Sequence, residues 1–122
     1  MRNTFKQDKV IAGSAARTAD ANFTMACGSV GGLFVIDVTD TTATPSVVFT
    51  IQGVEPISGN TWAILASSAI TSAGTTVLRV HPSLTASANA VAKDILPQAI
   101  NINCNHADTD SITYSIRFIG VN

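Results

Sequence analysis

Charge is scarce in this chain. Of 122 residues only 12% are Asp, Glu, Lys or Arg, about half the usual share. The net charge is −1, which leaves no electrostatic footprint for nucleic acid or an anionic membrane. No apolar run approaches the roughly 20 residues of a transmembrane helix. Arg2, Lys6 and Lys9 precede only Val10-Ile11-Ala12 before Gly13 and Ser14, too short a core for a secretory signal, so residence in the cytoplasm is expected. Two cysteines, Cys27 and Cys104, could pair in principle, but without an export signal buried free thiols are favoured. An immunoglobulin-type bridge fits poorly: Trp62 lies too far after Cys27, and Ile102 stands where that fold places its corner tyrosine. Aromatics make up 6%, which leaves few for an exposed stacking platform.

Apolar residues make up 46%, enough for one domain with a real core. Ser, Thr, Asn and Ala fill the places that charge vacates. Such a surface is either covered by neighbouring subunits or an ordinary Thr-rich β surface.

The stretch Val47–Leu65 organises the chain. Val47-Val-Phe-Thr-Ile-Gln52 and Thr61-Trp-Ala-Ile-Leu65 are β-branched and aromatic runs around Gly53-Val-Glu-Pro-Ile-Ser-Gly-Asn60, the pattern of two antiparallel strands and a turn. A type I turn or bulge is expected near Ser58-Gly59-Asn60. Val47, Phe49 and Ile51 share a face, as do Trp62 and Ile64, and pairing these faces promises the largest apolar contact.

Period-two alternation marks further strands. Phe34, Ile36 and Val38 form one apolar face, and Thr76–Val80 a short strand. Ile100, Ile102 and Cys104 alternate with asparagines, and Ile112, Tyr114, Ile116 and Phe118 form a last buried face. Ile70 reads as an anchor in a loop. Ser83–Asp94 reads as one helical turn or a compact loop. Residues 1–30, poor in large apolar side chains, read as an N-terminal arm that runs as an edge strand, packs on a neighbour or stays mobile; a weak helix over Ser14–Ala21 is an alternative. The expectation is all-β: an antiparallel β-sandwich, of jelly-roll or Ig-like topology, with about six to eight short strands over 31–122 and an extended arm over 1–30.

Few residues carry chemistry. Asp108 and Asp110, with Ser111, are weak candidates for oxygen ligation of Ca²⁺; the loop lacks the glycine and closing glutamate of a full site, and local turn bonding explains such residues equally well. Cys104 and His106 fall on one strand face, as a catalytic dyad would, although a structural cysteine beside a turn histidine accounts for them too. No nucleophile elbow, Walker loop or zinc pattern appears. Trp62, Tyr114 and Phe118 would make a sugar platform if exposed, and core residues if not. No catalytic residue, metal or cofactor is assigned.

Taken in order, Ser14-Ala-Ala-Arg-Thr-Ala19, Val38-Thr39 with Thr44-Pro45-Ser46, Ile51-Gln-Gly-Val-Glu-Pro-Ile-Ser-Gly59, Thr75-Thr-Val-Leu-Arg-Val80 and Asp108-Thr-Asp-Ser-Ile-Thr-Tyr-Ser115 resemble small virion structural proteins of tailed bacteriophages, associated with head decoration, or cement, proteins. The resemblance runs over residues 12–116. It implies a non-enzymatic protein on the outer capsid surface. Such a protein stabilises contacts between major capsid protein subunits as a homo-oligomer, with trimers favoured. It would assemble in the host cytoplasm, with no nucleic-acid or membrane partner. The arm, through Phe5, Val10, Ile11, Arg17 and Phe23, is the expected contact region; the alternative is an arm folded on its own sandwich. The rival functions are a tail or head-fibre component and a carbohydrate-binding adhesion module.

Overall fold

The computed structural model describes residues 5–122, with side chains from residue 7 onward. Its strands are β1 (Phe5–Arg17), β2 (Ala21–Ala26), β3 (Gly31–Thr41), β4 (Val47–Val54), β5 (Thr61–Ala66), β6 (Gly74–Val80), β7 (Val91–Ala92), β8 (Ala99–His106) and β9 (Ile112–Val121). They form two sheets of order β1-β9-β3-β6-β7 and β2-β8-β4-β5. Every pairing is antiparallel except β6 with β7. The pairs β4–β5, β3–β6, β2–β8 and β1–β9 nest inside one another along the chain. That nesting is the jelly-roll arrangement and decides between the two topologies the sequence left open.

The two inner faces meet as the alternation requires. Phe34, Ile36 and Val38 of β3, Ile112, Tyr114, Ile116 and Phe118 of β9, and Phe49 and Ile51 of β4 are all buried. Tyr114 meets Phe49 edge-on across the sheets at 4.9 Å, and Phe34 lies beside Phe118 at 4.8 Å. Both spacings suit aromatic pairs. Cys27 and Cys104 are free and buried at opposite ends of β2.

One expectation is corrected and two open readings are narrowed. Of the courses left open for the arm, that of an edge strand holds over 5–26: β1 lies along β9, and β2 along β8. Small side chains suit an outer strand, where Ala12 is buried against the core, and no helix forms at Ser14–Ala21. Trp62 is not a core residue. A register shift between Ile51 and Gln52 sets Ile51 opposite Leu65 and Gly53 opposite Trp62. Because side chains alternate with period two, one extra residue brings Leu65 into the core. Trp62 lies instead on Gly53, its ring occupying the space a Cβ would need. Finally, of the two readings of Ser83–Asp94 the compact loop holds: the segment carries turns and the two-residue β7. Ile70 anchors its loop through a mutual pair of backbone bonds with Val47.

Candidate functional site

The jelly roll has two ends that differ in chemistry. One end gathers the finish of β2, the β4–β5 turn and the segments before β3 and β8. There, among the described residues, Val30, Ile57, Trp62 and Ile95 are the large apolar side chains left exposed, with Ile57 94% and Ile95 60% accessible. Leu96 N–H donates to Val30 C=O at 2.9 Å, and Cys27 N–H to Gln98 C=O, so the two segments carrying Val30 and Ile95 are laced together. Between them and the β4–β5 turn runs a groove of about 670 Å³, walled by Trp62, Pro56, Pro97, Val54 and Ala99, with Lys9 and Glu55 at its rim.

Ile57 is held out. The Glu55 carboxylate accepts the N–H groups of Ile57 (3.0 Å) and Ser58 (2.7 Å), and these bonds, Ser58 first, hold its carboxyl below the usual range. Glu55 and Gly59 close the turn backbone to backbone. Gly59 takes φ 78°, a conformation glycine adopts without penalty, near where the turn was expected. An apolar tip on a closed turn costs little further ordering on contact.

The opposite end is polar and bonded chiefly to its own chain, although the buried His106 Nδ1 has no partner among the described residues. Arg17 donates to Tyr114 C=O (2.6 Å), Gly13 C=O (2.8 Å) and Ala15 C=O (3.2 Å). Its guanidinium lies 4.5 Å from the Tyr114 ring centroid and 5.3 Å from that of Phe23, within cation–π range. His106 Nε2 pairs with the Tyr114 hydroxyl at 3.2 Å, and Asp20 accepts the His106 backbone N–H at 2.7 Å. Burial lowers the His106 pKa, although Asp20 and Asp108 oppose this. Asp108 accepts the Asp110 N–H, and Asp110 accepts the N–H and hydroxyl of Thr44. Both carboxylates are therefore committed to turns. Among the described residues no three His, Cys, Asp or Glu side chains converge as a metal site would.

The structure separates the expected contact residues. Val10 is exposed on β1, while Ile11 and Phe23 pack against the protein's own core. Arg17 is occupied as above, and the Phe5 side chain lies outside the described residues. Cys104 and His106 do share a strand face, but both turn to Tyr114. The Cys104 thiol is buried and pushed up to about 11, chiefly by burial, the reverse of what activates a nucleophile. Tyr114 and Phe118 are fully buried, so of the three aromatics only Trp62 is available to a ligand. The exposed Val30, Ile57 and Ile95 were not singled out from sequence. Val30 and Ile57 are each flanked by turn formers, a signal that marks them, whereas Ile95 sits beside the buried Leu96 and carries no such mark.

Compared with known proteins, the chain matches no family model, no curated protein and no solved structure.

Proposed function

We propose that this chain is a non-enzymatic virion structural protein that decorates the outer surface of a phage capsid and joins major capsid protein subunits. The exposure of Val30, Ile57, Trp62 and Ile95 at one end, where Trp62 also walls a groove, carries this reading. Large apolar side chains exposed together at one end of a domain are a usual mark of a protein contact. The polar end, with its carboxylates and cation already paired, has little to offer a partner. The ordered segments that resemble phage decoration proteins supply the identity of the partner. The jelly roll adds support by analogy only, since capsid and lectin domains both use it. In this reading the contact shifts from the expected arm to the apolar end.

The test is co-sedimentation with mature and immature shells of the phage that encodes the chain. Saturable binding is expected. Ile57→Asp combined with Ile95→Asp should weaken it at least about tenfold, because charge replaces buried anchors. A folded protein that ignores both shells would end the proposal.

A second reading, a glycan-binding adhesion module, draws on the exposure of Trp62, at 48%, beside the groove. Glycan-array binding lost in Trp62→Ala, together with no shell binding, would favour it.

A further inference from the structure

The groove at the apolar end is distinct from the exposed residues beside it, for Val30, Ile57 and Ile95 do not line it. One wall is Trp62, the chain's one tryptophan, and the seat of that ring is a glycine. A Cβ at Gly53 would crowd three consecutive ring atoms, Cε2, Cζ2 and Cη2. A point beyond the ring's edge cannot come so close to three neighbouring atoms together; a point over its face can. One face of the indole therefore rests on the Gly53 backbone. Trp62 is nevertheless 48% exposed and walls the groove, so the other face is the open one. A ring seated in this way is a platform in place before any ligand arrives, which lowers the ordering cost of stacking on it.

Around the platform the lining is mixed. Met25, Ala26 and Ala99 are apolar. Thr24 and Gln98 can each donate and accept, Lys9 donates, and Glu55 accepts. Glu55 takes both turn N–H groups on Oε2, which leaves Oε1 its lone pairs. Among the described residues the ion pair is Asp8 with Arg117, so no carboxylate there holds the Lys9 ammonium. One charge of each sign leaves the groove neutral.

We infer that this groove binds a neutral glycan, one pyranose ring stacked on the open face of Trp62 and its hydroxyls bonded by Glu55, Gln98, Lys9 and Thr24. A pyranose matches both halves of the lining. The C–H groups of one face suit the negative face of an indole, and the hydroxyls round its edge donate and accept. A volume of about 670 Å³ lies within the range of small-ligand sites. The balance of Lys9 against Glu55 gives an acidic sugar no advantage. A proline-rich peptide docks in grooves lined by aromatic rings, and here one ring is present. The inference deepens the second reading above by assigning the ligand's charge, the stacking face and the residues that bond it. It is read on the isolated protein, so failure to bind shells leaves it standing, and failure to bind glycans leaves the shell contact standing.

The experiment is a printed array of neutral hexose and N-acetylhexosamine oligosaccharides, with sialylated and sulfated glycans and a proline-rich peptide beside them. The best neutral ligand is then titrated against Trp62 emission, and by calorimetry for variants without the tryptophan. Wild type should bind neutral glycans saturably, with a shift in emission. Trp62→Ala should weaken binding at least about tenfold, and Trp62→Phe, which keeps a stacking face, should lose less. Gly53→Ala should tilt the ring and weaken binding severalfold. Gln98→Ala should weaken it too, and guards against failure of the Gly53 variant to fold. Binding unchanged in Trp62→Ala, preference for acidic glycans, capture of the peptide alone, or no binding at all would overturn the inference.

Discussion

The two ends of this jelly roll divide the work of holding together and reaching out. At the polar end, Arg17, His106, Asp20 and Asp110 each contact the chain's own backbone or Tyr114. At the apolar end, Val30, Ile57 and Ile95 expose large surfaces that do nothing for the isolated fold. Damage to the first end should therefore appear as lost stability, and damage to the second as lost binding.

Truncating Tyr114 tests this hardest. Tyr114→Ala removes a fully buried ring and the centre of the polar network, and should cost about 3–5 kcal/mol in chemical denaturation. A loss under about 1 kcal/mol would break the contrast between the ends. Arg17→Ala releases three carbonyls and two ring contacts. Hydrogen bonds to charged groups are the stronger kind, so a loss of about 2 kcal/mol is expected, with faster amide exchange along β1. Asp110→Ala frees the Thr44 N–H and should cost about 1 kcal/mol.

Acid should act at the same end. His106 titrates lower in the fold than the roughly 6.5 of an unfolded histidine, chiefly because it is buried. The unfolded chain then binds the proton more readily. The contribution is fully present above the unfolded value and is lost as pH falls through 6.5 toward the folded one. Urea midpoints measured from neutral pH to about 5 should fall, and His106→Gln should flatten that slope. The smallest effect belongs to the apolar end: Ile57→Asp should change stability by no more than about 0.5 kcal/mol while weakening shell binding. A large change in stability would mean that Ile57 serves the fold.

The sheet faces were legible because alternation is a local signal. Ile100, Ile102 and Cys104 point inward, as does every second residue from Ile112 to Phe118. The all-β class follows from such runs, whereas the order of strands does not. Nothing in Phe5–Arg17 names β9 as its neighbour, so whether the arm ran as an edge strand, packed on a neighbour or stayed mobile could not be read from it. Trp62 was misread for a related reason. A single extra residue opposite Ile51 and Gln52 decides which side chains turn inward, and bulges leave little trace in composition. The contact surface was the least legible part. Val30, Ile57 and Ile95 lie far apart in sequence, and only the folding of three separate connections to one end brings them together.

The place of β9 between β1 and β3 has a consequence for the growing chain. Residues 112–121 complete the larger sheet, so a nascent chain that has reached Ser111 holds β1 and β3 with no strand between them. Its first strand waits for its last, and contacts of such sequence separation make folding slow. Until residues 112–121 emerge, β1 has no strand to pair with and the Phe34–Val38 face of β3 lacks its neighbour in the sheet.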